Sequence, residues 1–224
     1  EGLFCCNINP ASEADEFFKL ATERYGVAVA SINCSFSFPH ARIESDNSIA
    51  VMSLMEHLVE LGHRQIAHIG GDRSSGVSRE RSEAFLRAVE HFNLKLDECP
   101  LRFSNWELDQ ARTTARQLLE FSDPPTAILC VNDTIAACVL QVANELNLKV
   151  PSELSVVGIT NEHMSQLTVP SLTTVGIPCE EIGHAGMLAL IDLIESKREI
   201  ATQEITRYPC TPIFRDSSAA ARSL

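Results

Sequence analysis

The chain has 224 residues, enough for one or two domains with a substantial core, and its 45% hydrophobic and 21% charged content is that of a folded globular protein. A formal net charge of −12 excludes this chain from gripping nucleic acid by itself, which needs a basic footprint. It contains no uninterrupted apolar run of about 18 residues and no basic-then-apolar leader, so neither a membrane span nor export is expected.

In chain order, Gly2 to Ile8 reads as a short buried strand. A helix over Ser12 to Tyr25 carries Phe17, Leu20 and Ala21 as its apolar stripe. Gly26 stops it, Val27 to Ile32 is a second strand ending at Asn33, and Ser35 to Ser45, without a clear period, reads as a loop. Asp46 or Asn47 is placed to cap the next helix, whose face is Val51, Leu54, Met55, Leu58 and Leu61, with Gly62 as its stop. A strand from Gln65 to Ile69 then opens through Gly70-Gly71 into a polar loop reaching Arg81. Ser78 is placed to cap a helix striped by Phe85, Val89 and Phe92.

Leu101 to Phe103 is a weak strand, and Leu108, Ala111, Ala115, Leu118 and Leu119 mark a helix closed by Asp123-Pro124-Pro125. Thr126 to Val131 is a strong strand, and its helix carries Ile135, Val139, Val142 and Leu146 on one face. After Pro151, Leu154 to Ile159 is the next strand and Leu172 to Ile177 another extended run. Ile182, Ala185, Ala189 and Leu193 stripe a late helix, Ile205 to Phe214 is extended, and Asp216 to Leu224 reads as a polar tail. Short apolar strands alternating with longer helices imply βαβ units and parallel sheets covered on both faces.

Cys5, Cys6, Cys34, Cys99, Cys130, Cys138, Cys179 and Cys210 make no C-x-x-C pair, so zinc is not expected. Most lie in apolar runs and behave as small hydrophobes, which suits a reduced, cytoplasmic chain, although an even count leaves disulfides open. The start at Glu1, directly before an apolar run, reads as a fragment.

In doubly wound sheets, ligands sit outside the carboxyl ends of the strands. There the sequence places Asn33; then Asp72, Arg73, Ser74, Ser75, Arg79 and Arg81; then Asn105 and Trp106; then Asn132 and Asp133; then Thr160 and Asn161. Neutral amides and hydroxyls, a few charges and one aromatic plate suit a polyhydroxylated or heterocyclic ligand. Gly71-x4-Gly76 is followed by Val77 where a phosphate loop requires lysine. There is no G-x-S-x-G elbow, no H-E-x-x-H and no acid/base pair, so neither an enzyme nor a cofactor or metal is expected. His63 and His68, five residues apart, do not face one ligand. Plainer roles stand beside these: Asn105, Asn132 and Asn161 as caps or turn residues, Trp106 as a half-buried core residue, Arg79 and Arg81 as a solvated helix face.

Six pieces in order carry a resemblance: Gly62-His63-Arg64-x-Ile66-Ala67-x-Ile69-Gly70-Gly71, Arg81-x-x-Ala84-Phe85, Pro125-Thr126-Ala127-Ile128, Asn132-Asp133, Val150-Pro151-x-x-Leu154-Ser155-Val156-Val157-Gly158 and Pro170-x-Leu172-Thr173-Thr174-Val175. With Phe214-Arg215-Asp216-Ser217 near the end, nearly the whole chain resembles the effector-binding region of LacI/GalR-type transcriptional regulators. That resemblance implies two Rossmann-like, doubly wound parallel-sheet subdomains joined by crossover strands, a periplasmic-binding-protein-like fold. The expected division is 1–45 plus 176–205, and 46–175 plus 206–218, with 219–224 as a tail. It further implies a sugar, sugar derivative or purine-like effector in the cleft between subdomains, contacted by Asn33, Ser75, Arg79, Arg81, Trp106, Asn132 and Thr160.

Thr160 and Asn33 stand where that family commonly has aspartate, and Ala84 replaces a frequent glycine. The lost acids leave Arg79 and Arg81 less compensated, which makes room for an anionic effector such as a sugar phosphate or acid and leaves the effector's charge open. Glu1-Gly2-Leu3-Phe4 resembles a strand midway through the first subdomain, so that subdomain is expected to be incomplete and the helix-turn-helix headpiece missing. The expected protein is a homodimeric repressor core, reaching operator DNA only through the headpiece, with no membrane partner. A transport-type sugar-binding receptor of the same fold is the alternative.

Overall fold

The computed structural model describes residues 2–7, 12–34, 36–196 and 204–222. They fall into two compact units, Glu1–Asp46 with Pro178–Pro209 and Asn47–Ile177 with Cys210–Leu224. The chain passes between them three times, and each unit is described separately.

The first unit is a four-stranded parallel sheet of β1 (Gly2–Cys6), β2 (Ala28–Ile32), β3 (Ala41–Ser45) and β9 (Glu204–Tyr208), in the order β1-β2-β3-β9. Ile8, expected in the first strand, lies outside the described residues. β3 corrects the loop expected over 35–45. Its letters, Ala-Arg-Ile-Glu-Ser, hide a buried strand because Arg42 and Glu44 pair with each other, while Arg207 on β9 reaches Glu44 from the neighbouring strand at 3.2 Å. Two charges neutralised in place remove the polarity that made the segment look solvated.

α1 (Ser12–Tyr25) forms where expected but turns another face inward. Phe17, 62% exposed, and Leu20 point outward, whereas Ala14, Phe18 and Ala21 are half-buried and Phe18 packs on Phe36 at 5.0 Å. The face is set by i, i+4, i+7 from Ala14. α7 (Cys179–Ser196) buries Ile182, Gly186, Leu190 and Leu193 and leaves Met187, Leu188, Ile191 and Ile194 exposed.

The second unit carries a parallel sheet in the order β5-β4-β6-β7, with β4 (Ile66–Gly70), β5 (Leu101–Phe103), β6 (Ala127–Cys130) and β7 (Ser155–Val157). α2 (Asn47–Glu60) and α3 (Gly76–His91) bury Val51, Leu54, Met55, Leu58, Phe85 and Val89 against one face. α4 (Leu108–Leu119) and α5 (Asp133–Glu145) bury Ala111, Ala115, Leu118, Ile135, Val139 and Val142 on the other, while Leu108 is exposed. Each fully buried Leu or Ile here contributes roughly 1.5–3 kcal/mol, which is why this sheet reads as unbroken apolar runs. The cap of α3 is Ser75, whose Oγ accepts the Ser78 N–H; the expected cap, Ser78, lies buried within the helix.

α6 (Met164–Leu167) is a single turn before β8 (Thr174–Gly176), which pairs antiparallel with β10 (Thr211–Ile213). The extended run expected over 205–214 is thus two strands serving different units: it breaks at Pro209, which has no N–H to give a ladder. The polar tail expected from Asp216 is instead a docked segment. Ser217 is buried and its Oγ donates to the Val156 carbonyl at 2.5 Å and accepts from the Thr173 N–H at 2.8 Å. The Ala221 N–H closes on the Leu61 carbonyl at 2.8 Å. Short polar residues matched the exposed backbone of β7 and of the turn after α2, which composition alone does not reveal.

No disulfide joins any of the eight cysteines, and six of them are buried. Among the described residues no His/Cys/Asp/Glu group is arranged to hold a metal. His63 instead holds structure, with ring nitrogens at 2.9 Å from Thr126 Oγ1 and 3.0 Å from Ser155 Oγ. No described helix is long and apolar enough to cross a membrane.

Candidate functional site

β4 has β5 on one side and β6 on the other, so the order of connection reverses between β4 and β6. Loops leaving the carboxyl ends of strands at such a switch point diverge and leave room for a ligand. In the second unit this edge carries, in sheet order, Asn105-Trp106 after β5, Asp72 to Ser75 after β4, Asn132 after β6 and Thr160 after β7.

The backbone is unusual here. Apart from glycine and asparagine, the described residues at positive φ are Trp106 (φ 64°) and Thr160 (φ 127°), and both lie on this edge. For a bulky or β-branched residue that conformation costs about 1–3 kcal/mol and persists only where the surroundings impose it. Asn105 (φ 49°) and Asn161 (φ 54°) flank them at little cost.

Trp106 is 38% exposed and packs closely against Gly71; a Cβ there would meet three indole carbons at 2.4–2.7 Å. Only glycine allows this approach. Gly71→Ala is therefore expected to push the indole off its seat, shifting the tryptophan emission and lowering stability by about 1–3 kcal/mol, the usual cost of overpacking. Unchanged emission would show that the ring is placed by something else. Beside it the Arg73 guanidinium covers the Phe103 ring at 4.0 Å.

Ser75 and Asn132 both cap helices: Asn132 Oδ1 accepts the Ile135 N–H at 2.9 Å, and Ser75 caps α3. Their side chains thus have structural duties, as the plainer reading had it for Asn132. Arg79 is exposed on α3. Arg81 is not: it is 3% exposed, Nε donates to Asn47 Oδ1 at 2.7 Å, and Nη1 donates to the Val131 carbonyl at 2.5 Å. This corrects the solvated-face alternative for Arg81 and ties it to the end of β6, next to Asn132. Burial lowers its pKa to about 10, with Cys210, Glu80 and Asp133 pulling the other way, so it is charged at neutral pH. Asn33 belongs to the first unit, at φ 53°, where its Oδ1 accepts the Ser45 N–H at 3.1 Å.

Sequence reasoning placed Asp133 and Asn161 at strand ends but stopped short of Glu162 and of the cluster these residues form. Asp133 is buried; Oδ1 accepts from Thr174 Oγ1 at 2.5 Å and Oδ2 from the Glu162 N–H at 2.8 Å. Burial raises its pKa, and the Thr174 and Glu162 bonds oppose that rise. A Cβ on Gly158 would sit 2.4 Å from Asp133 Oδ1, so glycine is required there too. Glu162 accepts from Thr160 Oγ1 at 3.3 Å and from Thr134 Oγ1 at 3.1 Å. Arg215 donates to Asn161 Oδ1 at 2.7 Å, holding the same turn from below. An acidic residue three places past Ile159, the end of the strand expected from the sequence, was the available signal for Glu162.

A parallel sheet with polar loops and strained residues gathered at its carboxyl edge defines a ligand-binding α/β domain of the periplasmic-binding-protein kind. A family model described as periplasmic binding protein-like domain matches residues 55–218. The chain belongs to that family, as an effector-binding region of the LacI/GalR type. It is similar to the HTH-type transcriptional repressor CytR of Escherichia coli (strain K12), 29% identical over 178 residues, 80% of this chain and 52% of that protein. It is also similar to the repressor PurR of Erwinia tasmaniensis, 36% identical over 163 residues, 73% of this chain and 47% of that protein. The chain thus spans about half the length of these curated relatives. Among solved structures, a LacI-family regulator from Enterococcus faecium with bound ribose superposes with a TM-score of 0.86 at 21% identity, covering 99% of this chain and 80% of that one. A LacI transcriptional regulator from a Rhodococcus species gives 0.87 at 22%, covering 99% and 79%.

Proposed function

We propose that this chain is the effector-sensing and dimerisation core of a cytoplasmic LacI/GalR-type DNA-binding regulator. Its effector is a sugar, sugar derivative or purine-like molecule, taken in the cleft between the subdomains that the family resemblance implies. The site includes Asn33, Ser75, Arg79, Arg81, Trp106, Asn132 and Thr160, with Arg81 acting chiefly by fixing the end of β6. Binding shifts the balance between two arrangements of the protein, and so the operator affinity of its separate headpiece, a coupling of about 1–3 kcal/mol. The observation that carries the reading is the pair of strained residues, Trp106 and Thr160, at the carboxyl ends of parallel strands. The relatives named as transcriptional repressors, and one solved neighbour with ribose bound, support it.

Trp106, the only tryptophan, provides the test. Its exposed indole face offers a stacking plate for a sugar ring or a heterocycle. Titrating pentoses, hexoses, nucleosides and purine bases should reveal one class that quenches or shifts its emission. Trp106→Ala should then weaken that ligand at least 20-fold, about 2 kcal/mol, the scale of a buried aromatic anchor. If Trp106→Ala binds as well as the parent chain, the edge after β5 is not part of the site.

A further inference from the structure

The two missing aspartates and the arginines Arg79 and Arg81 opened the site to an anionic effector beside the neutral sugar or purine-like one. The structure changes both halves of that argument. Arg81 has committed Nε and Nη1 to Asn47 and the Val131 carbonyl inside the unit. A carboxylate, meanwhile, stands at the edge after β7, carried by a residue outside the expected set. Resting on the effector reading above, we infer that Glu162 is the site's acid, accepting from a hydroxyl or ring N–H of an uncharged ligand and disfavouring anions.

The turn through Thr160 and Asn161, at φ 127° and 54°, brings the chain back so that the Glu162 N–H reaches Asp133 Oδ2 at 2.8 Å. The same turn sets Thr160 Oγ1 on Glu162 Oε1, and α5 sets Thr134 Oγ1 on Glu162 Oε2. One hydroxyl per oxygen fixes the orientation of the carboxylate. It uses about two of the roughly four lone-pair positions that an ionised carboxylate offers, leaving the others for incoming donors. Glu162 is half-buried, so those positions stay within reach of a ligand at the edge. The strain at Thr160 thereby acquires a use: it aims an acid held by a longer arm. A phosphate or carboxylate placed there meets the Glu162 carboxylate at short range, where repulsion is largest, with Asp133 buried behind it and the Arg215 guanidinium offsetting part of that charge.

The test uses matched pairs titrated into the full chain by calorimetry: ribose against ribose 5-phosphate, and adenosine against adenosine monophosphate. The parent should prefer the uncharged member of at least one pair by about tenfold or more, the scale of a hydrogen bond to a charged group. Glu162→Gln, nearly the same size but without charge, should weaken the uncharged ligand about tenfold and shrink the preference, while Glu162→Asp restores part of it. The ratio within a pair is independent of the folded fraction, so a loss of stability does not blur it. A parent that prefers the anions, or a Glu162→Gln chain that keeps the parent's ratio, overturns the role of Glu162 and leaves the effector site standing. A parent that binds no member, with unchanged Trp106 emission across the wider sugar and purine panel, overturns both.

Discussion

Arg81→Ala should unfold at a much lower urea concentration than the parent chain, with a loss of about 3–5 kcal/mol, the usual result of removing one member of a buried charged network. The guanidinium ties three elements together. Nε reaches Asn47, the first residue of α2; Nη1 reaches the carbonyl at the end of β6; and Asn47 Nδ2 donates to Glu80 Oε2 on α3 at 2.8 Å. Alanine leaves two buried acceptors unmet and a side-chain-sized void. Arg79→Ala, two residues away but exposed, should stay within about 0.5 kcal/mol of the parent, as surface changes do. Near-normal stability for Arg81→Ala together with lost ligand affinity would assign it to ligand contact instead.

The chain should also lose stability steeply in mild acid, and His68 is the principal cause. Its Nδ1 donates to the Leu129 carbonyl at 2.9 Å, its ring stacks on Phe85 at 5.1 Å, and buried Nε2 has no hydrogen-bond partner among the described residues. Burial lowers its pKa from 6.5 to about 4, and the nearby Arg81 charge adds to the effect. Because the unfolded ring titrates near 6.5, the unfolded state binds the extra proton between pH 6.5 and 4. The contribution is complete above pH 6.5 and is lost as pH falls through that window, amounting to roughly 3 kcal/mol. Burial lowers His63, His57 and His40 too, so they act in the same sense. The raised Asp133 works the other way just above pH 4, where the native state holds its proton more readily. Urea midpoints at pH 7.5 and 4.5 measure the drop, and His68→Leu should remove much of it. A His68→Leu chain with the parent's full pH dependence would place the acid sensitivity elsewhere.

The second unit was largely readable from its sequence because a sheet buried on both faces leaves continuous apolar runs. Thr126 to Val131 and the face Val51, Leu54, Met55, Leu58 needed no further information. What escaped notice depends on partners distant in sequence. Arg42 and Glu44 look like solvent-facing residues until they pair with each other and with Arg207. Phe17 and Phe18 are indistinguishable by composition, and only the contact with Phe36 chooses between them. At the candidate site, strand ends located Trp106, Asn132 and Thr160, but periodicity says nothing about backbone strain. Nor does it say that Arg81 points inward or that Glu162 is drawn back by the turn before it.

The docked segment Thr211 to Ala221 bears on how the protein is made. His57 Nε2 meets Ser218 Oγ at 2.9 Å across 161 residues of chain, and His63 Nε2 meets the Ala219 carbonyl at 3.0 Å across 156. At a synthesis rate of about 5–20 residues per second, those partners leave the ribosome roughly 8–30 s apart. In the later part of that interval, once residue 157 has been made, the nascent second unit has all four strands of its parallel sheet while the backbone of β7 and the turn after α2 await their partners. The strand β9, which belongs to the other unit, must also be synthesised before that clasp arrives. Translation pauses between residues 160 and 210 would therefore lengthen the life of an open, aggregation-exposed intermediate.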